Sequence, residues 1–120
     1  MNEVLFLVFL LFTKHFIIDF LLQTRYQYSN KGTYGHPGGI LHAWLHGLGT
    51  YFCFVWISPI TAIYLAVADM LIHYHVDWAK MNLNSKFNWS PTIHDQFWWL
   101  LGFDQYLHAI TYIVLIGFVV

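Results

Sequence analysis

What this chain has least of is charge. Only 9% of its 120 residues are Asp, Glu, Lys or Arg, where a soluble domain usually carries about 25%. Five basic residues against six acidic ones leave a formal net charge of −1. No basic patch can be assembled from them, which argues against nucleic acid as a partner. A single cysteine, Cys53, excludes an internal disulfide. It lies in an apolar stretch and reads as a small buried hydrophobe. Glutamate occurs only at Glu3, so carboxylates within the apolar sequence are all aspartates. Nothing suggests a second domain, a linker or a low-complexity tail.

What the chain has in abundance is apolar surface: 58% of its residues are hydrophobic and 21% aromatic. That balance points to lipid as the solvent. A helix needs about 20 mostly apolar residues to cross a bilayer. Four such spans can be read, at 2–24, 38–57, 59–79 and 97–120. The first reads as a span rather than a cleaved leader, because it is long and lacks a basic start. Arg25 to Pro37 reads as a polar loop, and Met81 to Trp89 as an Asn-rich one. Ser58-Pro59 and Ser90-Pro91 each pair a capping hydroxyl with a proline suited to a first helical turn. Trp89, Trp98 and Trp99 suit the aromatic belt of a membrane interface. The expected fold is all-α: an integral membrane antiparallel four-helix bundle forming one domain.

Arg25, Lys31, Lys80 and Lys86 fall in or beside the first and third loops. The positive-inside rule then puts those loops in the cytoplasm and both termini on the far side. Lys14, inside the first span, either snorkels or pairs with an interior carboxylate.

Against this apolar background, ionisable residues recur at a four-residue step. His15 and Asp19, His42 and His46, and Asp104 and His108 each stand four apart, and Asp69, His73 and Asp77 continue the pattern. Residues four apart share one helix face. Ionisable groups in membrane helices are costly and mark functional interiors. With the helices alternating in direction, all nine fall in the same half of the membrane. Asp19, His42, Asp77 and Asp104 form a shallower layer; His15, His46, Asp69 and His108 lie about 5 Å deeper, one turn. His73 sits between.

Imidazole and carboxylate together are metal-ligand chemistry, and two layers on four helices resemble di-metal bundles. The nine exceed one tetrahedral shell and suit one or two divalent transition metals, Zn, Mn or Fe. A metal-free polar network, a proton or metal-ion path, and haem compete with that reading. Haem leaves the aspartates without a role. Asp19, Asp77 and Asp104 are the candidate catalytic bases. Gln23 and Lys80 lie near the cytoplasmic mouth, where they can meet an anionic substrate. Gln105 is expected to pack, His36 to serve a turn, His75 to lie at the interface, and His94 and Asp95 to be solvent-exposed or to cover the site. Gly47 and Gly49 suit close helix packing.

His15-Phe16-Ile17-Ile18-Asp19-Phe20-Leu21-Leu22-Gln23 resembles the opening motif of a family of small integral membrane proteins from bacteria and phages, known as a domain of unknown function. Asn30-Lys31, the His42/His46 pair, His73 through Asp77 to Lys80, and Asp104-Gln105-Tyr106-Leu107-His108 continue the match along nearly the whole chain. The resemblance implies a bacterial inner-membrane setting and shared polar motifs, and it brings no activity. The expected function is a metal-dependent hydrolase open to the cytoplasm, acting on a lipid or other amphipathic substrate. The alternatives are a transporter of protons or metal ions, and a di-metal oxidoreductase. The chain's polar residues are expected to stop short of the far leaflet, which favours a one-sided pocket.

Overall fold

The computed structural model describes residues 2–120, and its secondary structure is helical throughout the described residues. Helix α1 (Glu3–Phe16) starts where Asn2 accepts from the Leu5 amide, and it runs into a π-helical turn at Ile17–Leu21. A short α2 (Arg25–Asn30) is capped by Thr24. Helix α3 spans Pro37–Phe54, α4 spans Pro59–Phe87 and α5 spans Asp95–Gly117. Ser58 caps α4, with Pro59 at its first position, a place where the missing N–H costs nothing.

Three boundaries differ from the sequence reading. The loop expected at Arg25 to Pro37 contains α2, because Thr24 supplies a cap that hydropathy does not register. The loop expected from Met81 continues α4 to Phe87, where Asn88 at φ 52° ends it in the left-handed region that asparagine tolerates. Polar residues of that stretch remain good enough helix formers once a long helix leads into them. Ser90-Pro91 forms a turn, not a helix start; α5 begins at Asp95, after His94.

The segment Glu3–Leu21 and helices α4 and α5 are each long and apolar enough to cross a membrane. Helix α3 is not among those three: His42, His46 and its four glycines dilute its hydropathy. It is the most enclosed helix, packed against α1, α2 and α4. The four longer helices form a ring in which α1 touches α3 and α5, and α4 touches the same two.

The interior divides along the helix axes. Leu7 and Leu11 of α1, Cys53 and Phe54 of α3, Ala62 and Leu65 of α4, and Leu115 and Ile116 of α5 fill one end. These come from α1 up to Leu11, the start of α4 and the last turns of α3 and α5, so the helix pairs run in opposite directions. The other end buries Lys14, Lys31, His42, His46, His73, Asp77, Asp104 and His108. The outer surface carries Phe9, Phe20, Phe52, Tyr64, Trp99 and many other large apolar side chains. Charge inside and hydrocarbon outside reverse the usual arrangement of a protein in water.

Two glycines set the helix spacing around the polar end. A Cβ on Gly47 would stand 3.0 Å from the Ala66 carbonyl oxygen, and one on Gly49 2.6 Å from the Lys14 side chain. Their bare backbones let α3 approach α4 on one side and make room for Lys14 on the other.

Candidate metal centre

The π turn after α1 carries Asp19 into the interior. Its extra residue per turn, closed by the Leu22 amide on the Ile17 carbonyl at 2.8 Å, changes the direction of the chain at that point. Such turns recur at functional sites. Asp19 Oδ1 then lies 2.8 Å from His46 Nε2, 3.0 Å from His42 Nε2 and 3.7 Å from His73 Nε2. Four side chains from the π turn, α3 and α4 thus meet.

A second carboxylate does the same one step along. Asp77 Oδ2 lies 3.2 Å from His73 Nε2 and 3.4 Å from His42 Nε2, while Oδ1 lies 3.3 Å from His108 Nε2. The rings of His46, His73 and His108 stack, with centroids 3.6 Å and 4.1 Å apart and planes within 22°. Stacking aligns their planes and presents Nε2 of each to the carboxylates.

Among the described residues two groups can hold a metal ion: Asp19, His42, His46 and His73, and His73, Asp77 and His108, with ligand atoms within 4.8 Å of one another in each. Metal–ligand bonds of about 2.0–2.2 Å in a tetrahedral shell put neighbouring ligands about 3.3–3.6 Å apart. The three separations at Asp77, 3.2, 3.4 and 3.3 Å, are close to that spacing, while the 2.8 and 3.0 Å contacts of Asp19 have hydrogen-bond lengths. A short approach is not always a hydrogen bond here. Asp104 Oδ1 is 3.2 Å from His108 Nε2, yet it is buried with no hydrogen-bond partner among the described residues. Asp104 belongs to neither ligand group, so this oxygen is left open beside His108. His73 Nε2 belongs to both groups and has one lone pair to give, so the groups compete for it.

The groups behind the rings are as informative as the rings. His42 Nδ1 meets Gln27 Oε1 at 3.2 Å, the outward N–H to carbonyl contact that orients a metal-binding imidazole. His15 is placed differently. Its Nε2 faces both Asp19 Oδ2 at 3.1 Å and Gln105 Oε1 at 2.9 Å, and its Nδ1 faces the Tyr112 hydroxyl at 2.7 Å. An Nε2 donating to two oxygens steadies Asp19 from outside either ligand group. Asp69, grouped with the candidate ligands by spacing, is also apart from them. Its Oδ2 accepts from Lys14 Nζ at 2.7 Å and from the Thr50 hydroxyl at 2.6 Å. Of the two roles open to Lys14, the structure has the interior ion pair. Asp104 stands at the rim, where its Oδ2 accepts from Lys80 at 3.1 Å and from Gln105 at 3.0 Å.

Gln105 therefore joins His15 to Asp104 and is not a packing residue. Sequence spacing missed it because it sits beside Asp104, off the four-step face. Gln27, Tyr112 and Lys31 were missed as well: Tyr112 stands four after His108 but is neither His nor Asp, and Gln27 and Lys31 lie in or at the end of the unexpected α2. Lys31 Nζ reaches Asp77 Oδ2 at 3.1 Å. Gln23 turns back to the Asp19 carbonyl at 2.7 Å. His36 caps α3 by accepting from the Gly38 amide, and His75 lies on the surface with Tyr34 and the Leu71 carbonyl. His94 braces the turn before α5 by accepting from the Ser90 amide, and Asp95 is exposed. Neither covers the centre.

Together these features describe a protein that is all-helical over the described residues, with three helices among them long and apolar enough to cross a membrane and a buried His/Asp cluster compatible with a metal ion. The chain belongs to the family described as "Protein of unknown function (DUF3307)", whose model matches residues 6–120. No curated protein and no solved structure matches it.

Proposed function

We propose that the chain is an antiparallel four-helix membrane bundle forming one domain, that it binds a transition metal in the His/Asp cluster, and that it is a metal-dependent hydrolase acting on a lipid or other amphipathic substrate. The observation that carries this reading is the convergence of His42, His46 and His73 Nε2 on Asp19 Oδ1, with Asp77 and His108 directly alongside. Zinc, manganese and iron all accept that ligand palette. An ion taking His73 into the Asp19 group leaves Asp77 and His108 as the beginning of a second, open shell. One or two ions per chain follow.

An ion held there supplies Lewis acidity and brings the ionisation of water toward neutral pH. The protein's own part is positioning and proton transfer. Asp104 Oδ1, buried and unpartnered at the rim, is the proton acceptor, with Asp19 and Asp77 taken up by the two ligand groups. In the proposed hydrolysis, water oxygen adds to the acyl or phosphoryl centre of an ester and its proton passes to Asp104. The ester bond breaks, and Asp104 returns the proton to the leaving oxygen. Lys80 and Gln105, both on Asp104 Oδ2, keep Oδ1 facing inward.

The setting is a bacterial inner membrane, with the polar end at the cytoplasmic face and both termini on the other side. The outward-facing Phe, Leu and Trp side chains support lipid contact. A transporter of protons or metal ions using the same cluster, and a di-metal oxidoreductase, are the alternatives. Against a transport path stands the apolar plug of Leu7, Leu11, Phe54, Leu65, Leu115 and Ile116, beyond Lys14 and Asp69.

The test is hydrolysis of an amphipathic ester by detergent-purified protein supplied in turn with zinc, manganese and iron. Activity is expected only with metal, and Asp104→Asn should lower turnover by about 10²–10⁴-fold while metal is retained. Turnover indifferent to chelation, or none in fully metal-loaded protein, contradicts the hydrolase. Metal-ion flux into vesicles would then favour the transporter.

A further inference from the structure

Between α2, the later half of α4 and the start of α5 lies a cleft of about 420 Å³, lined by Lys31, Lys80, Asn84, Phe97, Leu100 and Leu101 among others. Its volume is within the range of about 300–1,000 Å³ that suits small-molecule sites. A neighbouring hollow of about 310 Å³ shares Lys80 and Leu100 and includes Asp104. The cleft has two chemically distinct parts. Phe97, Leu100 and Leu101, consecutive turns of α5, offer hydrocarbon; Lys31, Lys80 and Asn84 offer charge and hydrogen bonds.

The polar part has bonding capacity that the protein does not use. An ammonium carries three N–H donors. Among the described residues Lys31 makes one hydrogen bond, to Asp77, and Lys80 makes one, to Asp104. Asn84 donates to the Trp89 carbonyl, while its Oδ1 is buried without a partner among the described residues. Spare donors on two cations and one spare acceptor call for a ligand with several anionic oxygens and a hydroxyl. A phosphate monoester has both, since its partly protonated form can donate to Asn84 while other oxygens face the lysines. A carboxylate lacks the donor.

We propose that this cleft binds a phosphorylated amphiphile, its phosphate between Lys31 and Lys80 and its first carbons along Phe97, Leu100 and Leu101. As a substrate site this rests on the metal-hydrolase reading. Lys31 is the link: its Nζ lies 3.1 Å from Asp77 Oδ2, so the phosphate is one ammonium away from the candidate metal ligands.

The experiment uses the full chain in uncharged detergent, with hexyl phosphate, inorganic phosphate and hexanol as probes, followed by calorimetry. Hexyl phosphate should bind saturably, one per chain, at least about tenfold more tightly than either other probe. Lys80→Gln should weaken it by about tenfold or more. Leu101→Trp, which narrows the apolar wall and touches no ion pair, should weaken it likewise. Absence of saturable hexyl phosphate binding overturns the proposal, as does binding that neither substitution changes. Equal affinity for inorganic phosphate removes the amphiphile, and equal affinity for hexanol removes the phosphate. Metal content is measured on the same samples. Loaded protein that ignores hexyl phosphate defeats the cleft alone; metal-free protein that binds it, under any metal supply, supports the cleft and defeats the metal reading.

Discussion

Lys14 Nζ lies 3.1 Å from Nδ1 of His46. An ammonium only donates, so Nδ1 accepts and the imidazole proton sits on Nε2, facing Asp19 Oδ1 at 2.8 Å. The contact ties metal binding to proton release. An ion held by His46 Nε2 would displace that proton, leaving an imidazolate whose Nδ1 still accepts from Lys14.

The first prediction follows from that contact. Ligands must be deprotonated, so metal affinity should fall as the medium is acidified and binding should liberate protons. Zinc titration in buffers of different ionisation enthalpy measures the release directly. Affinity and heat independent of pH and buffer would place the ion away from the imidazoles.

Lys14 also neutralises Asp69, with the pair buried between α1 and α4. Removing one partner of a buried pair leaves an uncompensated charge and costs about 3–5 kcal/mol. Lys14→Met should therefore unfold the protein at clearly lower temperature in detergent. Lys14→Met with Asp69→Leu should recover most of the loss, since both charges go together. If the double variant is as unstable as the sum of the single ones, the pair is not the source.

Gln27 is expected to act through His42. Replacing it by Leu removes the carbonyl that orients the ring and should weaken metal binding by about 10–100-fold without abolishing it. Helical content should be unchanged, because Thr24 still caps α2. Unaltered affinity would remove Gln27 from the centre.

How much of this could be read from the chain divides by range. The four-step His/Asp pattern and the apolar runs are local, and they specify which residues share a helix face. All-helical structure and the family relationship followed from them. The π turn at Ile17–Leu21 has no hydropathy signature, yet it decides where Asp19 points. Asp69 matches the periodic face of His73 and Asp77, but Lys14 on a distant helix claims it. Lys31, Gln27 and Gln105 enter through partners 15 to 90 residues away in sequence, and a spacing rule does not see such pairings.

Topology is a further expectation. With Arg25, Lys31, Lys80 and Lys86 all toward the polar end, both termini should face away from the cytoplasm. Reporter fusions at the C-terminus should be active only in the non-cytoplasmic compartment. A cytoplasmic C-terminus would invert the orientation and move the cleft to the opposite face.

The most direct measurement is the metal content of purified protein and of four variants. Wild type grown with zinc, manganese and iron should retain about one ion per chain, two at most. His46→Ala and His108→Ala should lose most of it. His36→Ala, which removes the α3 cap and a ring contact with Tyr26, and His75→Ala, at the surface, should keep theirs. A well-folded wild type with no metal under any supply, or equal loss from all four variants, would contradict the metal centre.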